Sequence, residues 1–503
     1  MGNFCPPRAP MKPFLRFFSF LLLVFFFLAP FVAAERPWFQ VRTAHFSIVT
    51  DAGEKRGSEI ARRLERMRAA FALLMDRATT NDPAPLLIFA LNGQPEVDGM
   101  GDVLASRSRH AGLFLPGADQ SFILLDASGD PWHAAFHEYA HELLNANTSS
   151  SDQTWFDEGF AEYLSTFESS GDRVKLGQVP LPELQFLRNN GKLMRLADLV
   201  RVNLESQTYN QNGPSQEMFY AESWLLVHYL FDHQLIGRAG PFFSLLANGT
   251  TLDEAVQKSF SMSTQKLEDE LLSYAKGEKF RYFSFPLARD IPAGIVDAQP
   301  LTQATVAALK LQVRWHAKIE HSKSEARSYA AEDQSLLARE PQNVIALRGA
   351  GLALLEAGDY EGSFYYLRRA LQIGPTDPSN HYSLSLLLSA AQAAGLTDFH
   401  TGSLDAEAEA CIHLAPTFAD AYRLAASRWL REGEFNRAET AMRRAVSLSP
   451  RTERYRLQLA DVELKQREYE PALSLLQELR NSHDPEIARQ AGYSLSSNLW
   501  NQQ

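Results

Sequence analysis

The feature that most restricts the fold is a proline that recurs at regular intervals in the C-terminal part of the chain. The interval from Pro341 to Pro375 equals that from Pro416 to Pro450, and the interval between these two pairs is longer by a seven-residue insertion. A unit of about 34 residues is typical of a pair of helices that cannot bury its apolar face alone and must stack on its neighbours. The spacing therefore predicts an all-α solenoid over residues 341–490.

Other positions keep the same interval. The turn sequences GDY and GEF each end at the same distance before the proline of their unit, and REY follows GEF by one full interval. Small residues, which let two helices cross closely, recur 12 apart, as Gly351 and Ser363, Ala426 and Ala438, and Ala460 and Ala472. The region resembles a tetratricopeptide array, whose concave surface binds peptides or partner proteins. A generic helical bundle, the alternative, would not require the repeated interval.

The preceding region, residues 35–276, combines strands and helices. Short apolar segments predict strands at residues 45–51, 85–91, 112–117 and 121–126. Apolar residues at helical spacing predict helices at residues 55–75, 133–145, 155–167 and 218–233. Because most strands precede most helices, we predict an α+β domain. Residues 277–305 predict a strand followed by a linker, and residues 306–340 a helical lead-in to the repeats.

The N-terminus has the layout of a secretory signal peptide over residues 1–34. Basic residues precede a 16-residue apolar run, and the small residues Ala33 and Ala34 follow it. We therefore expect an exported protein, periplasmic or extracellular at a bacterial cell envelope. Retention as a membrane anchor is the alternative, but a run this short, broken by Pro30, does not favour a stable span. Cleavage would leave Cys411 as the single cysteine and no intrachain disulfide.

His137, Glu138 and His141 form an H-E-x-x-H motif within the sequence FHEYAHELLN. On a helix, residues four apart lie on one face, so two imidazoles can bind one zinc ion while Glu138 reaches a water molecule on its open side. A chain with 13 histidines can also contain this motif by chance, on an amphipathic helix with solvated side chains. A zinc site needs a third protein ligand, so a suitable third residue distinguishes a zinc site from a chance match.

Glu158, in the sequence TWFDEGFAEYLS, is a suitable third ligand. Sixteen residues separate it from His141, and a polar turn at residues 145–153 lets the second helix fold back on the first. Gly159 permits a close approach at this helix. His137, His141 and Glu158 then form a His₂Glu site for one zinc ion, with the fourth position left for water, as metal-assisted hydrolysis requires.

Together, HEYAH and WFDEGFAEY resemble the gluzincin metallopeptidases, which share a thermolysin-like core, and most closely their aminopeptidase branch. The resemblance spans about residues 37–276 and implies a zincin-like fold with Glu138 as general base. It also implies a tyrosine that stabilises the oxyanion, in a helix well beyond the third ligand, and Tyr220 fits that position. The combination of signal peptide, compact peptidase domain and repeats resembles a group of bacterial exported peptidase-like proteins.

Two positions depart from the aminopeptidase pattern. Asp157 stands where asparagine is usual, and residues 111–122 contain no glutamate to hold the free amine of a substrate. The resemblance therefore implies an endopeptidase or a narrow substrate range. The strand edge in this region could still bind an extended peptide through its backbone groups.

Neighbouring side chains are weaker candidates. His133 lies one turn before His137 and either meets substrate or hydrogen-bonds locally. Glu162, Asp157 and His133 are candidates for supporting the metal ligands from a second layer. For Glu162 the alternative is an exposed helix carboxylate. We predict that Tyr139 and His228 are core residues.

We therefore expect a zinc-dependent peptidase, an endopeptidase acting on a peptide or protein substrate, whose repeats bind a substrate or partner protein. The alternative is a non-catalytic binding protein that acts through the repeats and keeps a zinc-bound structural domain. A net charge of −11 argues against nucleic acid as a partner.

Overall fold

The structure is a computed structural model that describes residues 1–2, 36–75, 80–82, 84–93, 112–148, 153–203, 206–210, 213–287, 297–318, 320–396, 399, 404–482 and 484–501. The expected signal peptide, residues 1–34, lies outside the described residues except for its first two. The chain divides into residues 1–37 and residues 38–503, and all elements below belong to the second unit. Within the described ranges, no helix is long and apolar enough to cross a membrane.

Short runs rich in apolar and β-branched residues form two sheets in the N-terminal region. The described strands are β1 Trp38–Arg42, β2 Ser47–Thr50, β3 Leu86–Leu91, β4 Gly112–Leu115, β5 Ser121–Asp126, β6 Glu168–Ser170, β7 Arg173–Leu176, β8 Phe283–Pro286 and β9 Asp297–Leu301. The main sheet has the order β4-β5-β3-β2-β1-β9. β2, β3 and β5 run parallel, whereas β4 and β1 pair antiparallel to their neighbours. β4 therefore lies at an edge, with Leu113 opposite Leu124.

Helices cover both faces of the main sheet. In this region they are α1 Glu54–Leu74, α2 Trp132–Asn147, α3 Thr154–Ser165, α4 Leu181–Asn190, α5 Leu196–Leu199, α6 Gln207–Asn210, α7 Pro214–Asp232, α8 Ala239–Ala247, α9 Leu252–Phe260, α10 Thr264–Lys276 and α11 Gln303–His316. One face, which includes Ile48 and Ile88, shares a large core with α1, α2, α3 and α7. The other face packs on Val306, Leu309 and Val313 of α11. The region is a mixed α/β domain.

The predicted order of strands and then helices holds for most of the domain, because β1 to β5 precede α2 to α10 and, of the described helices, only α1 lies among these strands. β2 and β3 are parallel neighbours, and parallel pairing requires a crossover connection. α1 provides this crossover, so strands and helices alternate in the first part of the domain.

The strand that we predicted within residues 277–305 is present as β8, whereas the linker predicted after it is corrected by β9. β8 pairs with β7 in a second, three-stranded sheet, and β9 extends the main sheet beside β1. Pro300 is tolerated within β9 because this is an edge strand, where a missing N–H breaks no inner ladder. The N-terminal domain therefore continues past residue 276. α11, which falls largely in the predicted lead-in at residues 306–340, is one of its layers.

Beyond α11 the described chain is helical. The helices are α12 Lys323–Leu337, α13 Val344–Glu356, α14 Tyr360–Ile373, α15 Pro378–Ala393, α16 Leu404–Leu414, α17 Ala419–Glu432, α18 Phe435–Leu448, α19 Glu453–Gln466, α20 Tyr469–Leu479 and α21 Pro485–Asn501. The starts of α13, α15, α17 and α19 follow one another at the same three spacings as the four prolines, which confirms the predicted interval. The insertion lies between α15 and α16, in a segment that is partly outside the described residues.

The predicted small residues lie where paired helices cross. A Cβ atom added at Gly351 would lie 2.5 Å from side-chain atoms of Leu367, so α13 and α14 require a glycine there. The other five small residues are fully buried: Ser363, Ala426, Ala438, Ala460 and Ala472. Close helix crossing within each pair is therefore confirmed.

Candidate metal centre

α2 carries the H-E-x-x-H motif and packs its apolar side chains into the domain core. His137 and His141 lie one turn apart, and their Nε2 atoms are 3.2 Å from each other. The His137 side chain is 3% exposed and that of His141 is 20% exposed, so one imidazole is buried and the other meets solvent. The predicted pair of imidazoles is present on one helical face.

α3 supplies the third predicted ligand. Oε2 of Glu158 lies 3.3 Å from Nε2 of His137 and 3.6 Å from Nε2 of His141. Ligand atoms about 2.0–2.1 Å from zinc at tetrahedral angles lie about 3.3 Å from one another, so these separations suit a zinc ion. This Oε2 atom is buried and accepts no hydrogen bond from the described residues. The donor set and its geometry therefore fit zinc.

Glycine at position 159 sets the position of α3. A Cβ atom there would lie 2.2 Å from the backbone oxygen of Ser223, so α3 and α7 cross in direct backbone contact. The close approach that the sequence predicted is therefore made with α7. It brings the helix that carries Tyr220 next to the helix that carries Glu158.

Glu138 lies between the predicted ligands and the edge strand β4. Its Oε2 atom accepts a hydrogen bond of 2.8 Å from the N–H of Phe114. Gly112 makes room for this side chain, because a Cβ atom there would lie 2.8 Å from Cγ of Glu138. Burial, together with the nearby charge of Glu158, outweighs the effect of His141 and raises the pKa of Glu138 to about 7. A carboxyl group that titrates near neutrality suits general acid–base chemistry.

Tyr209 is a site residue that sequence reasoning missed. Its hydroxyl donates a 2.8 Å hydrogen bond to Oε1 of Glu158, so both carboxylate oxygens of Glu158 have a defined direction. Burial and the charge of Glu158 raise the pKa of Tyr209 far above its usual value, which keeps the hydroxyl a donor. Tyr209 lies on the short helix α6, between segments outside the described residues, and no periodic pattern marks it.

Tyr220, the predicted oxyanion donor, lies on α7 and is largely buried. Its ring stacks on that of Tyr209, with centroids 6.2 Å apart and planes at 23°. The structure therefore places Tyr220 on the same side of the centre as Glu158. The ring of Tyr209 contacts both residues, through its hydroxyl to Glu158 and its face to Tyr220.

Glu162 forms the second layer behind His137. It is fully buried, and its Oε1 atom lies 3.5 Å from Nδ1 of His137. Its Oε2 atom lies 3.0 Å from Nε2 of His133. Burial lowers the pKa of His133, but the hydrogen bond and charge of Glu162 outweigh burial and raise it. The alternative of an exposed carboxylate is therefore wrong for Glu162, and His133 contacts this second layer through Glu162 of α3.

Asp157 does not contribute to this second layer, and that prediction is corrected. Its carboxylate forms two hydrogen bonds of 2.9 Å with the guanidinium of Arg451 in the repeats. Adjacent positions on a helix point about 100° apart, so Asp157 faces away when Glu158 faces the histidines.

The two predicted core residues are confirmed. Tyr139 is buried and packs edge-on against Phe46, with ring centroids 5.0 Å apart. His228 is fully buried, and its nitrogens meet the hydroxyl of Tyr274 at 2.8 Å and the backbone oxygen of Gly177 at 2.9 Å. Both nitrogens of His228 therefore have partners away from the metal centre.

Two family models match parts of the chain. The model described as tetratricopeptide repeat matches residues 330–378 and 423–486, so the C-terminal region contains tetratricopeptide repeats. The model described as protein of unknown function (DUF1570) matches residues 132–242. This second match runs from α2 to α8 and includes all the candidate site residues. A search of curated proteins gives no match.

Several solved structures are similar to the chain at low identity. A thermophilic tetratricopeptide protein of Thermus thermophilus is 17% identical, with 38% of this chain and 98% of that one covered and a TM-score of 0.32. MamA from Desulfovibrio magneticus RS-1 is 19% identical, with 36% and 98% covered and a TM-score of 0.30. A tetratricopeptide repeat protein from Parabacteroides merdae ATCC 43184 is 14% identical, with 62% and 98% covered and a TM-score of 0.30. At these TM-scores the likenesses carry no further argument.

Proposed function

We propose that the N-terminal domain is a zinc-dependent peptidase with a gluzincin-like, zincin-type metal centre. The observation that carries the proposal is the triangle of Nε2 of His137, Nε2 of His141 and Oε2 of Glu158, with sides of 3.2, 3.3 and 3.6 Å. The resemblance of the two motifs to gluzincins supports it. A zinc ion held by these atoms would supply Lewis acidity to a water molecule and to the carbonyl of a peptide bond.

Different residues of the chain then carry out the proton transfers and the charge stabilisation. Glu138, fixed by the N–H of Phe114, accepts the proton of the attacking water and returns it to the leaving amine. The hydroxyl of Tyr220 donates to the developing oxyanion, as the resemblance implies. Tyr209 and Glu162 hold Glu158 and His137 in orientation.

The edge position of strand β4 supports the proposal that the substrate is a peptide. Among the described residues its backbone is paired on one side, with β5, and the N–H of Phe114 within it donates to Glu138. An extended peptide that adds to this edge would lie beside the proposed general base. Because residues 111–122 contain no glutamate, we propose internal cleavage of peptides rather than removal of an N-terminal residue. Export to the cell envelope belongs to the same proposal and rests on residues 1–34.

A second candidate function is a non-catalytic binding protein. The match of residues 330–378 and 423–486 to tetratricopeptide repeats favours it, because such arrays serve as scaffolds for partner proteins. Of the two functions, it is the one that the comparisons support, whereas the peptidase function rests on the geometry of the metal centre. The two are compatible if the repeats bind the substrate of the peptidase.

A peptide-library cleavage assay on zinc-loaded full-length protein tests the proposal. We expect cleavage by the wild type, and a fall in kcat of about 10²–10⁴-fold in Glu138→Gln with zinc content unchanged. Glu217→Gln, an exposed carboxylate at the start of α7, is the matched control and should cleave normally. A zinc-loaded wild type that cleaves no peptide would favour the binding function.

A further inference from the structure

An arginine of the repeats contacts both helices that carry the proposed metal ligands. Arg451 lies in the turn between α18 and α19. Its Nη1 and Nη2 atoms each donate a 2.9 Å hydrogen bond to Asp157 of α3, and its Nε donates a 2.9 Å bond to Oγ1 of Thr148. Thr148 caps the C-terminal end of α2. One guanidinium therefore joins the end of α2 to the start of α3.

The contact between Arg451 and Asp157 is stronger than a typical exposed ion pair. The Arg451 side chain is 13% exposed and that of Asp157 is 26% exposed, so solvent screens the pair only in part. A bidentate arginine–carboxylate pair also fixes the orientation of both groups. A second side chain reinforces it, because Nδ2 of Asn81 donates to the backbone oxygens of both Ala146 in α2 and Ser447 in α18, each at 3.0 Å.

The arginine is specific to one repeat. It directly follows Pro450, and the residues that follow the equivalent prolines are Gln342, Thr376 and Thr417. A residue needed for stacking of the repeats would be expected in each unit. Arg451 instead occurs in the unit whose turn meets Asp157 of the N-terminal domain.

The geometry of the metal centre depends on how α2 and α3 lie against each other. Two ligands, His137 and His141, are on α2, and the third, Glu158, is on α3 next to Asp157. A shift between the helices changes the 3.3 and 3.6 Å separations directly. Contacts that fix the two helices together therefore determine how tightly three ligands can hold one ion.

We propose that Arg451 is a positioning residue of the metal centre, so that the docked repeats hold the zinc ligands in register. The inference rests on the proposed metal site and deepens it, because it makes the repeat region part of the centre. Binding of a partner that pulls the α18–α19 turn away from the N-terminal domain would then loosen the metal.

The test measures zinc release from the full-length protein into an excess of a chromophoric chelator. We expect Arg451→Gln and Asp157→Asn each to release zinc about 10-fold faster than the wild type. The double variant should release it no faster than either single variant, because both remove one shared contact. Arg443→Gln is the control, since it removes the two ion pairs that α18 forms through Arg443 with Glu439 and Glu463 of the repeats.

A cobalt-substituted sample separates positioning from general destabilisation. At saturating Co²⁺ we expect a changed visible spectrum in Arg451→Gln and an unchanged one in Arg443→Gln. A wild type that binds no metal would overturn the proposed function together with this inference. A wild type that binds one zinc ion, with wild-type release rates and spectra in both Arg451→Gln and Asp157→Asn, would overturn the inference alone.

Discussion

The metal-bearing helices and the repeats both bury carboxylates, but with different neighbours. In the repeats, Asp420 forms a bidentate ion pair with Arg423, at 2.5 and 2.8 Å, and accepts a 2.7 Å hydrogen bond from Tyr382. In the N-terminal domain, Glu158 and Glu162 are similarly buried, and the ion pairs described for them are with histidines. Buried charge is costly unless a cation balances it. The comparison indicates a stabilising role for Asp420 in the repeats and supports the metal-binding role that we propose for Glu158.

The largest effect should follow removal of the third ligand. Glu158→Ala should weaken zinc binding at least about a thousandfold, because loss of a ligand exceeds the 10–100-fold effect of supporting residues. Competition with a chromophoric chelator measures this affinity. Glu217→Ala should bind like the wild type, and zinc retained at wild-type affinity in Glu158→Ala would refute the assignment.

The matching change in the repeats should affect stability instead. Arg423→Ala leaves Asp420 buried without its cation and should lower the free energy of unfolding by about 3–5 kcal/mol. Urea denaturation measures this loss, while zinc affinity should be unchanged. Arg489→Ala, which breaks an exposed pair with Glu486, should leave the unfolding midpoint where it is. Equal stability of the two variants would contradict a structural role for Asp420.

A smaller effect is expected from the tyrosine that orients Glu158. Tyr209→Phe removes one hydrogen bond to Oε1 of Glu158 and keeps the ring, so zinc affinity should fall about 10-fold. The same chelator competition measures it, with the exposed Tyr493→Phe as control. An unchanged affinity in Tyr209→Phe would mean that Glu158 is held by its other contacts.

The smallest effect concerns a partly buried ion pair between α11 and the turn that joins β4 to β5, His316 with Asp119 at 2.9 Å. Burial lowers the pKa of His316, but Asp119 outweighs it and raises the pKa above its usual value. The pair therefore adds stability that is fully present below about pH 6.5 and is lost as the pH rises through the raised folded-state pKa. The difference in unfolding free energy between wild type and His316→Gln should shrink over that range. A difference independent of pH would contradict this assignment.

Much of the candidate metal centre and of the repeats can be predicted from local sequence rules. The i, i+4 spacing fixes His137 and His141 on one helical face whatever the tertiary fold. The repeat interval likewise fixes the helix starts at Val344, Pro378, Ala419 and Glu453, because each pair must stack on the next.

The contacts that could not be predicted from the sequence join segments that are distant in the chain. Tyr209 meets Glu158 only because α6 folds over α3, and its own segment has no periodic pattern. Asp157 was assigned to the metal site because it adjoins a ligand, yet its partner Arg451 lies 294 residues further on. The sequence predicts a linker at β9 because residues 277–305 contain three prolines and no helical period, but an edge strand accommodates Pro300.

Anomalous diffraction at the zinc edge, from crystals of the full-length protein grown with one equivalent of zinc, tests the proposed metal centre most directly. We expect one anomalous peak about 2.0–2.2 Å from Nε2 of His137, Nε2 of His141 and Oε2 of Glu158. Zinc-containing crystals with no peak within bonding distance of these three atoms would contradict it.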